Sequence, residues 1–319
     1  MGRKISVIGS ENTLTPGKTF ETTVHIELDQ PTRVRGIKAR FFGAERTEAD
    51  YTTTSTDSKG RMQTHHHTAV EYVPIVEKHF VLHGTPSTGF FSGIGDAVST
   101  MFGGGQSETM EAGIYDFPVS FAIPKNAPPS FEGKKCSVFY RLEIQIDVPI
   151  WPDPKLDYAF ELLRLPTPVE ETLPAYAKHP DSKKGRGFWD WALGKDVEVE
   201  VAIDSDVLVA GQESQAMVAI MANEPFKLDQ ISLAMIGLEK SRAGGHNDSY
   251  HHVRPLHHVP VNQSILTELN REFSFRVSTD GPYTTTGHNF KVDWYIEVRL
   301  DVPWAKDPYL RIPIRYLES

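Results

Sequence analysis

Seven of the thirteen histidines fall in two groups, His65-His66-His67 and His251-His252 with His257-His258. Imidazole is the commonest protein ligand for metal ions. His65, His67, His251, His252, His257 and His258 are therefore the residues whose type and spacing could hold a divalent cation. Acidic co-ligands at matching spacing do not accompany them, and both groups lie in polar stretches that read as hairpin ends. Exposed loops are the first expectation and a metal site the second, so no metal or cofactor is expected.

Other chemistry is thinner still. Gly103-Gly104-Gly105 is not followed by Lys-Ser/Thr, so the phosphate cradle of nucleotide hydrolases is missing. No Gly-x-Ser-x-Gly elbow and no zinc-protease helix motif occurs. Carboxylates abound, but the sequence assigns none of them an acid or base role. The single cysteine, Cys136, excludes an internal disulfide and enters an apolar strand, where an inert thiol is expected. No enzyme is expected.

A chain of 319 residues with 39% hydrophobic and 10% aromatic content can bury two ordinary cores. The net charge of −9, with neither half basic, argues against nucleic acid as the main partner. No run reaches the ~18 apolar residues of a membrane span. The start, Met1-Gly2-Arg3-Lys4-Ile5, has no apolar signal core. The expectation is a cytoplasmic protein, at most peripheral to membranes.

Period-two alternation dominates the chain, and successive side chains leave a strand on opposite faces. Tyr115, Phe117, Val119 and Phe121 alternate in one run, and Val138, Tyr140, Leu142, Ile144 and Ile146 in the next. Residues 4–9, Thr19 to Leu28, Arg33 to Phe42 and His67 to Leu82 read as earlier strands, with Glu45 to Gln63 a polar hairpin end. Within 85–111, Phe90, Ile94, Val98, Met101 and Phe102 fall at helical spacing, which predicts one short amphipathic helix. Residues 166–192 turn to Pro, Glu, Lys and Ser and read as a linker interrupted by Phe188, Trp189 and Trp191. Strands resume at Val197 to Ile203, Glu213 to Met221, Leu228 to Leu238, Glu272 to Val277 and Lys291 to Leu300.

The two halves repeat each other. YRLEIQIDVPIWPDPKL from Tyr140 aligns with WYIEVRLDVPWAKDPYL from Trp294, pairing Glu143 with Glu297 and Asp147 with Asp301. At the same offset Pro128 meets Pro282 and Gly133 meets Gly287; upstream, Gly43 and Glu45 match Gly237 and Glu239. Short strands, regular turns and little helix predict an all-β chain of two tandem immunoglobulin-like sandwiches, at 1–165 and 193–319, joined by the 166–192 linker.

Gly113, Tyr115, Phe117, Pro118, Phe121 and Pro124, then Pro128-Pro129-Ser130-Phe131-Glu132-Gly133, then Val138, Tyr140, Leu142, Asp147 and Pro149 resemble the N-domain pattern of the arrestin clan. With the repeat, the likeness covers nearly the whole chain and is closest to arrestin-domain-containing proteins. It implies a non-enzymatic adaptor or scaffold in signalling or trafficking, with protein partners that are phosphorylated or membrane-associated. It also implies that 85–111 lies where arrestins carry a helix on the N-domain. Arrestins sense phosphate partly through basic residues of the first strand. By that likeness Arg3 and Lys4, with Arg33, Arg35, Lys38 and Arg40 on nearby strand positions, are candidates for phosphate or partner contact. Phe90, Phe91, Trp189 and Trp191 are the candidates for membrane or partner contact. Two other readings stay open. One is a peripheral membrane protein of trafficking or of stress- and sporulation-control type that uses 85–111, and the other a metal- or ligand-binding sandwich that uses the histidine loops.

Overall fold

The computed structural model of the chain describes residues 3–9, 12–84, 107–149, 152–164, 172–179, 197–303 and 307–318. All regular structure among them is β-strand. The helix predicted from Phe90 to Phe102 lies outside the described residues. At the end of that segment, Glu108–Met110 forms a strand.

Two compact units divide the chain. The first comprises Met1–Thr167 with two short stretches from later in the chain, Arg242–His246 and Gly287–Asn289. One of its sheets has the order β1 (Arg3–Ile8), β3 (Thr19–Leu28), β8 (Gly113–Ala122). The other runs β2 (Thr13–Leu14), β11 (Lys155–Leu162), β10 (Cys136–Asp147), β5 (Gly36–Thr56), β6 (Met62–Gly84). The short β9 (Phe131–Glu132) pairs with β10, and β4 (Thr32–Val34) pairs with β7 (Glu108–Met110). Alternation explains why two layers form: Val24, Ile26 and Phe121 of one sheet and Phe41, Leu142 and Ile144 of the other are all at most 1% exposed. Phe41 stacks on Phe121 with ring centroids 3.8 Å apart, and Phe20 meets Phe160 edge-on at 5.1 Å. Each of the buried rings, Phe41, Phe121 and Phe160, contributes about 1.5–3 kcal/mol relative to exposure.

The second unit repeats this plan. One sheet is β12 (Ala175–His179), β13 (Val197–Ile203), β15 (Glu213–Ala222), β18 (Glu268–Arg276). The other is β14 (Val207–Val209), β21 (Tyr309–Leu317), β20 (Phe290–Asp301), β16 (Phe226–Ala243), β17 (His246–Ile265), with β19 (Thr285–Thr286) on β20. β12 falls within the stretch that its composition marks as linker, yet it pairs with β13 over all five of its residues.

Two further features depart from the sequence expectation. The polar stretch after Glu45 does not break the ladder: β5 and β6 stay paired out to Thr56 and Met62. Beyond Ala49 no face of that arm is buried, so its side chains carry no apolar alternation although its backbone stays paired in the ladder. The turn at its tip is held by Asp57, whose Oδ1 accepts from the backbone N–H groups of Lys59 and Arg61 at 2.9 Å each. The histidine-bearing stretch His246–Ile265 is likewise strand, not loop.

The repeat shows most plainly in one packing device. Tyr140 of β10 lies opposite Gly43 of β5, and Trp294 of β20 lies opposite Gly237 of β16. Both rings are at most 1% exposed. Each sits over the glycine: a methyl on Gly237 would come within 2.7 Å of Trp294 Cζ2, and one on Gly43 would overlap the Tyr140 ring. The polar tips end on equivalent carbonyls. Tyr140 Oη donates to Pro128 O at 2.6 Å, and Trp294 Nε1 donates to Pro282 O at 2.9 Å. Burial pushes the Tyr140 phenol well above the usual tyrosine range.

This packing makes the two glycines intolerant of a side chain. Gly43→Ala and Gly237→Ala should each destabilise the chain by about 1–3 kcal/mol through overpacking. Gly113→Ala, whose new methyl meets nothing closer than Tyr115 at 3.9 Å, should stay within about 0.5 kcal/mol of the parent. Thermal and denaturant unfolding of the full chain measure both; equal effects at all three glycines would contradict the packing argument.

Candidate partner-binding surfaces

The six basic candidates do not form one cluster. Arg3 and Lys4 open β1, an edge strand that pairs with β3 from Arg3↔Leu28 to Ile8↔Thr23. Arg33, on β4, donates from Nε to Ser107 Oγ at 2.6 Å. Arg35 lies two residues further on but serves the fold. Its Nε and Nη2 reach Asp147 Oδ1 at 2.7 and 2.6 Å, and Nη2 donates to Val148 O at 3.3 Å. The Asp147 side chain is 1% exposed, so this pair neutralises a buried carboxylate at the end of β10.

Lys38 and Arg40 project from β5 on the side away from Ile37, Ala39 and Phe41. Arg40 is 5% exposed and lies over the Phe42 ring, 4.4 Å from its centroid. Its Nε stands 3.2 Å from Glu77 and 3.9 Å from Glu143. Phe139 crosses Phe42 edge-on at 5.6 Å, with Arg141 stacked 4.8 Å above Phe139. The outer face of this sheet is thus a lattice of guanidinium groups, rings and carboxylates. Burial raises the pKa of Glu143, and Asp157 adds to the rise, while Arg40 opposes it.

The second unit carries a corresponding arrangement. Glu297, the repeat partner of Glu143, is 4% exposed and takes Arg299 at 2.9 Å and Arg311 at 2.8 Å. Arg311 lies 4.8 Å from the Tyr309 centroid and 5.9 Å from that of Tyr295. Glutamates that the repeat places at equivalent positions thus anchor both outer faces, with arginines drawn from different strands.

The histidines find separate partners. His65 Nε2 is 3.0 Å from Ser55 Oγ, and His67 Nε2 is 2.9 Å from Thr53 Oγ1, with the two rings 6.4 Å apart on β6. His252 Nε2 meets the fully buried Glu239 at 2.7 Å, and His257 Nε2 lies 2.8 Å from Ser274 O. His258 Nδ1 lies 3.0 Å from Gln230 and 3.1 Å from Ser232, and His251 is exposed on β17. Among the described residues no three His, Cys, Asp or Glu side chains gather as metal ligands. Phe90, Phe91, Trp189 and Trp191 lie outside the described residues.

One surface escaped the sequence reading. On the sheet β12-β13-β15-β18 the inward positions, such as Val199, Val218 and Phe273, are core. The outward ones place Tyr176, Ala202, Met217 and Glu272 in one row across the sheet, and Glu198, Met221 and Glu268 in another. The signal was present in the alternation of VEVEVAI and ESQAMVAIMA, had the outward letters been read as a set.

Residues 96–165 match the family model described as Arrestin (or S-antigen), N-terminal domain. That stretch carries β7, β8, β10 and β11 of the first unit. Together with the all-β architecture and the repeat, this match supports a likeness to the arrestin clan, whose members are generally non-enzymatic adaptors. No curated protein matches the chain. Among the described residues no helix is long and apolar enough to cross a membrane.

Two outcomes follow from these ion pairs. Glu143 holds its proton more tightly in the folded than in the unfolded chain. Stability from this group is therefore present at low pH and falls as pH rises from the ordinary value of 4.5 through the raised one. Glu143→Gln should remove that fall, with its melting temperature at or above the parent's near neutral pH and the difference closing toward acid. A lower melting temperature at neutral pH would show that the Arg40 attraction outweighs desolvation. For the buried pair, a double-mutant cycle of His252→Ala and Glu239→Gln should give a coupling of about 0.5–3 kcal/mol in unfolding free energy, and a coupling near zero would exclude a stabilising contact.

Proposed function

We propose that the protein is an adaptor that binds other proteins through sheet edges and outer sheet faces, within signalling or trafficking. The observation that supports it most is the arrestin N-terminal match, on a chain whose described regular structure is all β-strand. β1 is the edge best suited to a partner in this reading. An edge strand offers its outer backbone groups for the addition of a further strand. Arg3 and Lys4 stand at the beginning of that edge, and Arg33 lies on β4, so a segment carrying phosphate or carboxylate groups fits its chemistry. Arg35 and Arg40 contribute less in this reading, because buried carboxylate and ring contacts already hold them.

Affinity capture with the full chain tests the reading. The expected result is a reproducible partner set whose binding drops about tenfold in the Arg3→Glu/Lys4→Glu variant, since a charge-assisted hydrogen bond contributes about 1.5–3 kcal/mol. Phosphatase treatment of the partners separates phosphate from carboxylate recognition. Capture that yields no reproducible partner would overturn the adaptor reading, and undiminished binding by the variant would remove β1 from it.

A further inference from the structure

The outer face of β12-β13-β15-β18 combines two properties that a merely solvated sheet face does not need. It exposes large apolar side chains: Tyr176 is 80% exposed, Met217 47% and Met221 39%. Ala202 and Ala219 fill the positions between them, so the apolar residues form a continuous strip along β15 and across to β12. Carboxylates flank this strip, with Glu198 and Glu200 on β13 and Glu268 and Glu272 on β18. Lys178 pairs with Glu200 at 2.6 Å and Glu198 at 3.2 Å, and Arg276, opposite Glu213 on β15, donates from Nε to the backbone carbonyl of Gly211 at 3.0 Å. With Glu213 of β15, five carboxylates therefore share this face with two cations, and acidic groups are in excess on both sides of the methionines. A concavity of about 310 Å³ opens along the Met217 row, lined by Ala202, Gln215, Met217, Glu272 and Phe273.

We propose that this face binds a basic amphipathic segment of a partner protein. The inference rests on the adaptor reading and names the partner's chemistry. Apolar side chains of the segment lie on Met217, Met221 and Tyr176, with one of them entering the concavity beside Ala202. Lysines or arginines at its flanks reach Glu198, Glu200, Glu268 and Glu272. Methionine suits such a surface because its unbranched, polarisable side chain adapts to differently shaped partners. The excess of carboxylates sets the sign of the partner's charge and disfavours anionic membrane surfaces and acidic peptides.

The test uses the full chain with isotope-labelled methionine methyl groups, of which the seven methionines give separate signals. The signals of Met217 and Met221 are assigned by Met217→Leu and Met221→Leu. The probe is a short peptide of alternating lysine and leucine, with the glutamate-leucine counterpart as control. The expected result is that the lysine peptide shifts the Met217 and Met221 signals ahead of the other five, while the control shifts neither. Glu198→Gln/Glu272→Gln should weaken binding about three- to tenfold, as should raised salt, because the pairs are exposed. Shifts spread evenly over all methionines, or binding indifferent to the two glutamates, would overturn the proposal. A Met217→Asp variant that converts a dimer into a monomer in sedimentation would overturn it in favour of a second copy of the chain. If captured partners exist but bind Met217→Asp/Met221→Asp unchanged, this face fails while the adaptor reading stands.

Discussion

Each unit depends on an aromatic ring seated over a glycine on the neighbouring strand. A side chain on Gly43 or Gly237 would occupy the space of the Tyr140 or Trp294 ring. The ring can be buried because its one polar atom is satisfied. An unpaired hydroxyl or indole N–H in the core would offset much of what burying the ring contributes. Pro128 O and Pro282 O meet that requirement, and in doing so they tie the connection before β10 or β20 to the middle of the sheet. Strand spacing, loop path and core volume are therefore fixed together at one point in each unit. Tyr316 extends the device in the second unit. It crosses Trp294 edge-on at 5.0 Å and donates to Ser278 O at 2.6 Å, and burial pushes its phenol up to about 12.

Around this shared framework the repeat has diverged in its charged residues. Glu45 and Glu239 occupy equivalent positions and both are buried. Glu45 accepts from the backbone N–H groups of His288 and Asn289, stretches that belong to the same compact unit, whereas Glu239 takes the imidazole of His252. Asp147 is buried against Arg35, while its counterpart Asp301 is exposed. A carboxylate buried with a partner constrains the fold, and one left at the surface does not. The duplicated aspartates, alike in sequence, therefore do different work in the two units.

The residues that were legible in the sequence are those whose position is dictated by burial. Strands such as Cys136–Asp147 and Phe290–Asp301 were recognisable because one face must be apolar, and the tandem sandwich followed from the repeat. The outer parts of β5, β6 and β17 were not recognisable, because both their faces meet solvent and polar letters carry no period. β12 was hidden for a related reason: its five residues sit in Pro- and charge-rich surroundings, and only His179 is buried in the strand. Pairings over long separations, such as Arg35 with Asp147, depend on sheet order. Arg35 and Arg40 therefore looked in sequence like the basic residues that the structure places at the surface.

Binding function in such a chain belongs to the outward half of the alternation. Inward positions are set by close packing, where a change of even one methylene is felt. Outward positions can vary without cost to the core, so their composition records what the surface meets. On the sheets carrying Glu143 and Glu297 the outward residues are mutually satisfied: arginines stack on rings and end on carboxylates of the same face. On β12-β13-β15-β18 the outward methionines and Tyr176 remain exposed, and carboxylates exceed cations. A face that has already paired its charges offers little to a partner, because each contact must be broken before another forms. A face with exposed apolar side chains and unbalanced charge loses less on being covered, and the sign of its charge selects what covers it.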